Sequence, residues 1–488
     1  MIKNILLSCL ILFTQLIQAQ PFEKLFSYST GNNTYEYANA GIELSNGNYL
    51  IAINNKLLCL SSNGDSLWTR TYNYLGPITK LFRDNNNKLM LASTVGKMHF
   101  VSINENNGDT SNPFLAPKQF SNSGYEIYDV AVLPGGDYVL AFSNGGGQAG
   151  SLQRFTPKSS VLKWNNDYAG QTWKPRSVII DDTNIVAAGF KAGANNRYGI
   201  RVSKISANNV TIWTKTFLRD AAYGDRGVGI QKNSKGQYLV ANSWNVETKL
   251  VPAVLVLSNA GDSLTLHSLS TVKGSFNYGM MHSLQASSNG FYASGYLNYN
   301  TKAPDSSSKS NGYMSVFSIM DDGKIKSYAA FNKSSFHLDP NSEYSGCEGW
   351  GTWCFETKDK HYMLVGTGSI LEKNPTGVGM VARYRGYVVK SNSLELASIK
   401  NGIAPLGFSI FPVPASHNLS ITLDIIPSKY SISIFDAYGR LLQEHKNNQG
   451  ILSEVDISRL NNGVYFLQIL DSNGNSGIRK FIVSLENQ

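Results

Sequence analysis

Between residues 41 and 366 one hydrophobic phrase recurs: an apolar strand, a polar turn of Asn, Gly and Asp, and a second apolar strand that commonly opens on an aromatic. It reads "GIELSNGNYLIA" at 41–52, "KLFRDNNNKLMLAS" at 80–93, "VAVLPGGDYVLAFS" at 130–143 and "SVIIDDTNIVAAGF" at 177–190. It continues as "GIQKNSKGQYLVANS" at 229–243, "SLQASSNGFYASG" at 283–295 and "CFETKDKHYMLVG" at 354–366. The seven copies lie about 40 to 55 residues apart, with one longer interval before the last, which is the period of four-stranded propeller blades.

A third strand follows each copy, and often a fourth that leaves a turn and carries an aromatic: "SSNGDSLWTRTY" (61–72), "TPKSSVLKWNNDYAG" (156–170), "SANNVTIWTKTF" (206–217), and more weakly "SNAGDSLTLHSL" (258–269) and "MDDGKIKSYAAF" (320–331). Leu67, Trp68, Thr69, Arg70, Thr71 and Tyr72 alternate like a strand packed on one face against a neighbouring blade. The last copy lacks such a segment, whereas "PFEKLFSYSTGN" at 21–32 has its look. The expectation is an all-β, seven-bladed β-propeller over residues 20–398, closed by its N-terminal strand so that no sheet edge stays open. Its 44 Gly, 26 Tyr and abundant Asn and Ser agree with strands and turns rather than helices. The copies resemble the secreted repeat propellers of Bacteroidetes-type bacteria, a likeness that implies architecture only, since such propellers serve both binding and catalysis.

Beyond a linker at 399–406 the pattern changes. Residues 407–488 read as six or seven short strands with turns at Asp436 to Gly439, Asn461 to Gly463 and Asn473 to Gly474, the outline of a small β-sandwich. Pro412 and Pro414 cannot lie inside a central strand and mark a boundary or an edge. The segment resembles the type A C-terminal sorting domain of the type IX secretion system. The matching residues are Phe411, Pro412, Pro414 and Ala415; Ile434, Phe435, Asp436, Gly439 and Arg440; Asp456, Ile457, Leu460, Gly463, Val464 and Tyr465; and Lys480, Phe481, Ile482 and Val483. Val413 departs from the family's usual Asn between the prolines. The resemblance implies recognition by the type IX translocon, and release or attachment to surface lipopolysaccharide.

The first residues, "MIKNILLSCLILFTQLIQAQ", have an early Lys3, an apolar run from Ile5 to Phe13 and Ala19 before Gln20, the layout of a secretory signal peptide over 1–19. No later stretch approaches the roughly 18 apolar residues of a membrane span. The expected location is therefore outside the cell or on its outer surface, through Sec and then type IX secretion. A net charge of +9 is scattered without basic runs, which argues against nucleic acid as a partner. Cys59 reads as a buried strand thiol, and Cys347 and Cys354 could close a small disulfide loop.

Chemistry is sparse in the sequence. The seven His residues never fall at metal-ligand spacing, and no nucleophile elbow, zinc motif or phosphate loop occurs, so neither metal nor cofactor is expected. The pairs Asp181/Asp182 and Asp321/Asp322 sit at tight turns, where Asp bonds its own backbone. The loops at 298–312 and 332–354 are long for a compact domain. The second carries Phe336, His337, Tyr344, Trp350 and Trp353, aromatic faces beside polar groups that suit a glycan or protein ligand. Packing of the two Trp residues between blades is the competing explanation. The expected role is non-enzymatic binding; the alternative is a propeller glycan or peptide hydrolase or lyase, with its active site at the channel mouth.

Overall fold

A computed structural model describes residues 21–26, 36–117, 126–143, 150–192, 198–221, 228–246, 249–269, 278–302, 308–331, 349–373, 380–391, 408–423, 429–436, 440–448, 452–471 and 476–484. The expected signal peptide and linker lie outside these residues. The described residues form strands, with one 3-10 turn at Ala169–Gln171, and no helix among them is long and apolar enough to cross a membrane. The chain divides into two compact units, Met1–Ser270 with Phe276–Ser398, and Thr271–Ser275 with Ile399–Gln488.

The described residues of the first unit form seven antiparallel sheets, here numbered I to VII: residues 38–71, 78–115, 127–167, 173–221, 229–268, 278–331, and 349–391 joined by Phe22–Phe26. Within I to VI the strands follow chain order outward from the first; in VI a short extra strand, Gln285–Ser287, also pairs with the second. Sheet VII takes its fourth strand from the other end of the chain, Phe22 to Phe26 pairing with Lys390 to Gly386. Each sheet packs face to face with the next in sequence, and VII packs back on I, so the sheets form a closed ring, a β-propeller. Buried apolar residues fill the gaps between sheets: Leu57, Leu91 and Val101 between I and II, for example, and Val186, Val202 and Val240 between IV and V.

Three of the gaps are also fastened at their outer edge by a repeated clamp. The fourth strand of sheet I lays Trp68 against Gly108, in the last turn of sheet II; a Cβ there would lie 2.7 Å from the indole. Trp213 of sheet IV lies the same way against Gly261 of sheet V, also 2.7 Å from a Cβ, and its Nε1 donates to Asn259 O at 3.0 Å. Phe22, in the strand that completes sheet VII, covers Gly64 of sheet I, 2.6 Å from a Cβ. These glycines hold left-handed conformations (φ 74, 84 and 83°), so the position excludes a side chain by both backbone and space. Two residues beyond each aromatic a cation meets the Asp that follows the glycine: Arg70 with Asp109 at 3.1 Å, Lys215 with Asp262 at 2.8 Å, Lys24 with Asp65 at 3.1 Å. These ion pairs are exposed and are worth at most about 1 kcal/mol. The ring on the glycine, which removes apolar area from water, is the larger contribution.

One buried ionic knot joins IV to V. Asp181 accepts from Lys204 at 2.7 Å, from Tyr238 Oη at 2.6 Å and from Lys232. Burial pushes its carboxyl up, and the bonds from Lys204, Lys232 and Tyr238 overrule burial and hold it down to about 2.

The second unit has two antiparallel sheets around one core. Phe408–Phe411, Asn418–Leu423 and Leu452–Asp456 form one sheet, and Leu441–Asn448, Tyr430–Asp436, Gly463–Asp471 and Ser476–Val483 the other. Period-two burial supplies the core: Tyr430, Ile432 and Ile434 alternate inward on one strand, and Tyr465, Leu467 and Ile469 on the next.

Two outcomes follow from this packing. Gly261→Val is expected to lower stability by roughly 1–3 kcal/mol, because the added side chain must displace Trp213; urea unfolding followed by Trp fluorescence measures it. The depressed Asp181 carboxyl contributes stability that is fully present above its ordinary value of 3.8 and lost as pH falls through about 2. Thermal melts of Asp181→Asn between pH 7 and pH 2 are accordingly expected to lose the part of the acid destabilisation that this carboxyl carries in the parent protein.

Candidate functional site

The first strands of the sheets surround the ring axis, and their polar side chains make the candidate site. In sheets I, II, III, IV and VII the pairing of first with second strand skips one residue, namely Asn39, Thr79, Tyr128, Arg176 and Thr352. Such a bulge re-aims side chains. Here it brings the residues around it into hydrogen-bond reach of the next sheet.

The result is an unbroken circuit. Asn39 Nδ2 donates to Ile78 O at 3.2 Å, joining I to II. Lys80 Nζ meets Asp129 Oδ1 at 2.5 Å, joining II to III. Ser177 Oγ and the Val178 amide donate to Asp129 Oδ2 at 3.1 and 2.9 Å, joining IV to III. The Ile230 amide donates to Ser177 Oγ at 3.3 Å, joining V to IV. Gln231 Nε2 reaches Leu284 O at 3.1 Å, joining V to VI. His282 Nδ1 lies 2.6 Å from Gly351 O, joining VI to VII; a carbonyl can only accept, so Nδ1 carries the proton. Thr352 Oγ1 donates to Ala38 O at 2.6 Å and closes VII onto I.

Electrostatically the circuit is self-contained. Lys80 and Asp129 are both buried, and Asp129 further accepts from its neighbour's amide, Val130, at 3.0 Å. The Lys80 ammonium also stands 3.7 Å from the centroid of the Trp353 ring, a cation–π contact from sheet II to sheet VII. Arg176 stacks on Tyr128 at 3.7 Å. Burial pushes the Tyr128 hydroxyl up to about 12, against the pull of Arg176. Asp129 thus accepts four hydrogen bonds, one of them from the Lys80 ammonium, and both of its carboxylate oxygens are engaged within the ring. Among the described residues, no three His, Cys, Asp or Glu side chains gather as metal ligands.

Of the residues expected to bind a ligand, Phe336, His337 and Tyr344 lie outside the described residues, and Trp350 falls on the first strand of sheet VII with its side chain likewise outside them. Trp353 is half-buried against Lys80 and the core between VII and I. Cys354 is a buried free thiol 3.8 Å from Ser283 Oγ, and burial pushes it up to about 12. Its expected partner Cys347 lies outside the described residues. The Asp pairs hold turns and sheets together: Asp321 Oδ1 accepts from the Ser234 amide at 3.0 Å, and Asp322 Oδ1 from the Lys324 amide at 3.1 Å.

The polar circuit was open to a sequence reading that aligned the repeats one or two residues further upstream. Asn39, Thr79, Tyr128, Arg176, His282 and Thr352 each stand two places before a buried residue of the repeat, Gly41, Leu81, Val130, Val178, Leu284 and Cys354.

In the second unit, Pro412 and Pro414 are exposed, and Ala415 after them bridges Val483, so the opening motif is fastened to the closing strand. Arg440 Nε donates to Asp436 Oδ2 at 2.6 Å. Gly463 begins the strand on which Tyr465 donates to Asn461 O at 2.8 Å and packs against Phe481, while Lys480 is exposed beside it. Gly439 lies outside the described residues.

Residues 409–484 match the family described as the secretion system C-terminal sorting domain. No curated protein matches the chain. Among solved structures, a fungal alcohol oxidase of the AA5 family in complex with copper is 12% identical, covering 92% of this chain and 97% of that one at a TM-score of 0.41. The Dos1 propeller is 14% identical, covering 70% and 75% at 0.39, and the Neurospora crassa Pan2 WD40 domain is 11% identical, covering 50% and 68% at 0.35. With its ring of sheets and this match, the chain is a β-propeller that carries, at residues 409–484, a secretion system C-terminal sorting domain.

Proposed function

We propose that this is an exported protein in which a seven-bladed propeller, each sheet one blade, binds a glycan or protein ligand without catalysis, and a C-terminal β-sandwich delivers it through the type IX translocon. The match of residues 409–484 to the sorting family carries the export half. Export begins with a Sec signal at residues 1–19 and ends with the propeller released or held at the outer surface. The binding half is favoured by the state of the axis: its central acid and base, Asp129 and Lys80, are committed to each other and to the ring. The loop bearing Phe336, His337, Tyr344 and Trp350 is one surface for a ligand.

Deleting residues 409–484 in the native host is expected to retain the propeller inside the cell envelope, read by protease accessibility on intact cells and by immunoblot of the medium. A truncated chain found outside at the parent level overturns the route. Asp129→Asn is expected to destabilise the propeller by roughly 3–5 kcal/mol, because Lys80 stays buried without its anion. Lys80→Met together with Asp129→Asn is expected to restore most of that loss in urea unfolding.

A further inference from the structure

We propose that the outer cleft between sheets III and IV binds an acidic saccharide, with its carboxylate on Arg201. This deepens the ligand-binding role proposed above and rests on it. The cleft measures about 430 Å³, within the range of small-molecule sites.

Its origin is a local change in the repeat. On the face toward sheet III, the third strand of sheet IV, Tyr198–Ile205, carries Ile205, then Ser203, then Arg201. The places of Ile205 and Ser203 are held by Leu60 and Leu58 in sheet I, Ile103 and Val101 in sheet II, and Leu257 and Leu255 in sheet V, all buried. Ser203 therefore leaves unfilled the volume of a Leu or Val side chain, and Arg201 stands at its outer end.

The clamp changes at the same point. Trp164 still donates to the next sheet, Nε1 to Ala207 O at 2.9 Å. The glycine of the three clamps described above is here Asn209, left-handed at φ 68°, the following Asp is Val210, and the cation two places beyond the Trp is Asn166. The exposed ion pair is thus replaced by an amide pair, Asn166 and Asn209 exchanging hydrogen bonds of 2.6 and 3.1 Å.

Arg201 is held and left without an anion. Its guanidinium carbon lies 4.8 Å from the centroid of buried Trp173 and 6.0 Å from that of Tyr168, and Nη1 donates to Gln171 Oε1 at 2.6 Å. Among the described residues no carboxylate pairs with it, and the one acid of the lining, Asp167, is exposed. A guanidinium fixed by stacking and one amide presents its remaining donors as a fork suited to a carboxylate. Asn165, Gln171 and Thr214 surround it with the amides and hydroxyls that sugar hydroxyls need. Ile205 is the single aliphatic residue of the lining, so the side chain of a peptide ligand would find little apolar surface to bury.

The test is calorimetric titration of the full chain with oligomers of galacturonate, glucuronate and mannuronate, with neutral oligomers of the same linkages and with short peptides bearing a free C-terminal carboxylate. At least one uronate is expected to bind about tenfold or more tightly than its neutral counterpart, the worth of a hydrogen-bonded charge. Arg201→Gln is expected to remove that preference while the protein still unfolds cooperatively, and Ser203→Leu to abolish binding by filling the cleft. Failure of every uronate, equal binding of acid and neutral oligomers, a preference for peptides, or an Arg201→Gln protein that binds as the parent overturns the assignment. A broader glycan and protein array separates the two levels: ligands unaffected by either variant overturn the cleft and leave the binding role standing, whereas no ligand of any class overturns both.

Discussion

The circuit of hydrogen bonds among the seven first strands is the constraint from which the rest of the propeller takes its geometry. Each sheet twists, and its inner strand would otherwise present bare polar groups to the axis. A one-residue bulge in five of the seven sheets turns those groups toward a neighbour instead. The Lys80–Asp129 pair fits this account: a buried pair contributes little net stability but is costly to break, so it fixes which groups must meet. Fixing the inner strands sets the angle at which the outer strands meet, where Trp68, Trp213 and Phe22 find their glycines.

Much of this fold was legible in the sequence. The seven phrases, their period and the strand-like segment at residues 21–32 all have physical causes that act locally: period-two burial, Gly or Asn where φ is positive, an aromatic to cover a bare turn. Phe22 and Lys24 stand to the strand that completes sheet VII as Trp68 and Arg70 stand to sheet I, so the orphan segment carries the signature of the place it occupies. The C-terminal unit was legible for another reason, since four short motifs in order identify it without reference to packing.

The candidate sites were much less legible. Trp353 looks in sequence like an exposed aromatic beside a long loop, and its position over Lys80 depends on a residue more than two hundred places away. Arg201 is one scattered cation among many until the third strands are aligned by register; only then do Ser203 and Asn209 stand out as small and amide residues where Leu and Gly are usual. Periodicity reports what a position does in most repeats. A site made by departing from the repeat becomes visible only when the repeats are compared place by place.

The pairing of Phe22–Phe26 with the strand around Tyr387 has a consequence in time. Glu23 and Tyr387, bonded across it, are 364 residues apart. Phe22–Phe26 cannot take its place until Met380–Ser391 is there to receive it, and closing so long a span has an entropic cost that grows with its logarithm. Until then sheet VII lacks its fourth strand and sheet I its cover over Gly64, so the ring stays an open arc. The joint that makes the propeller a closed object thus forms only when two segments from its opposite ends meet.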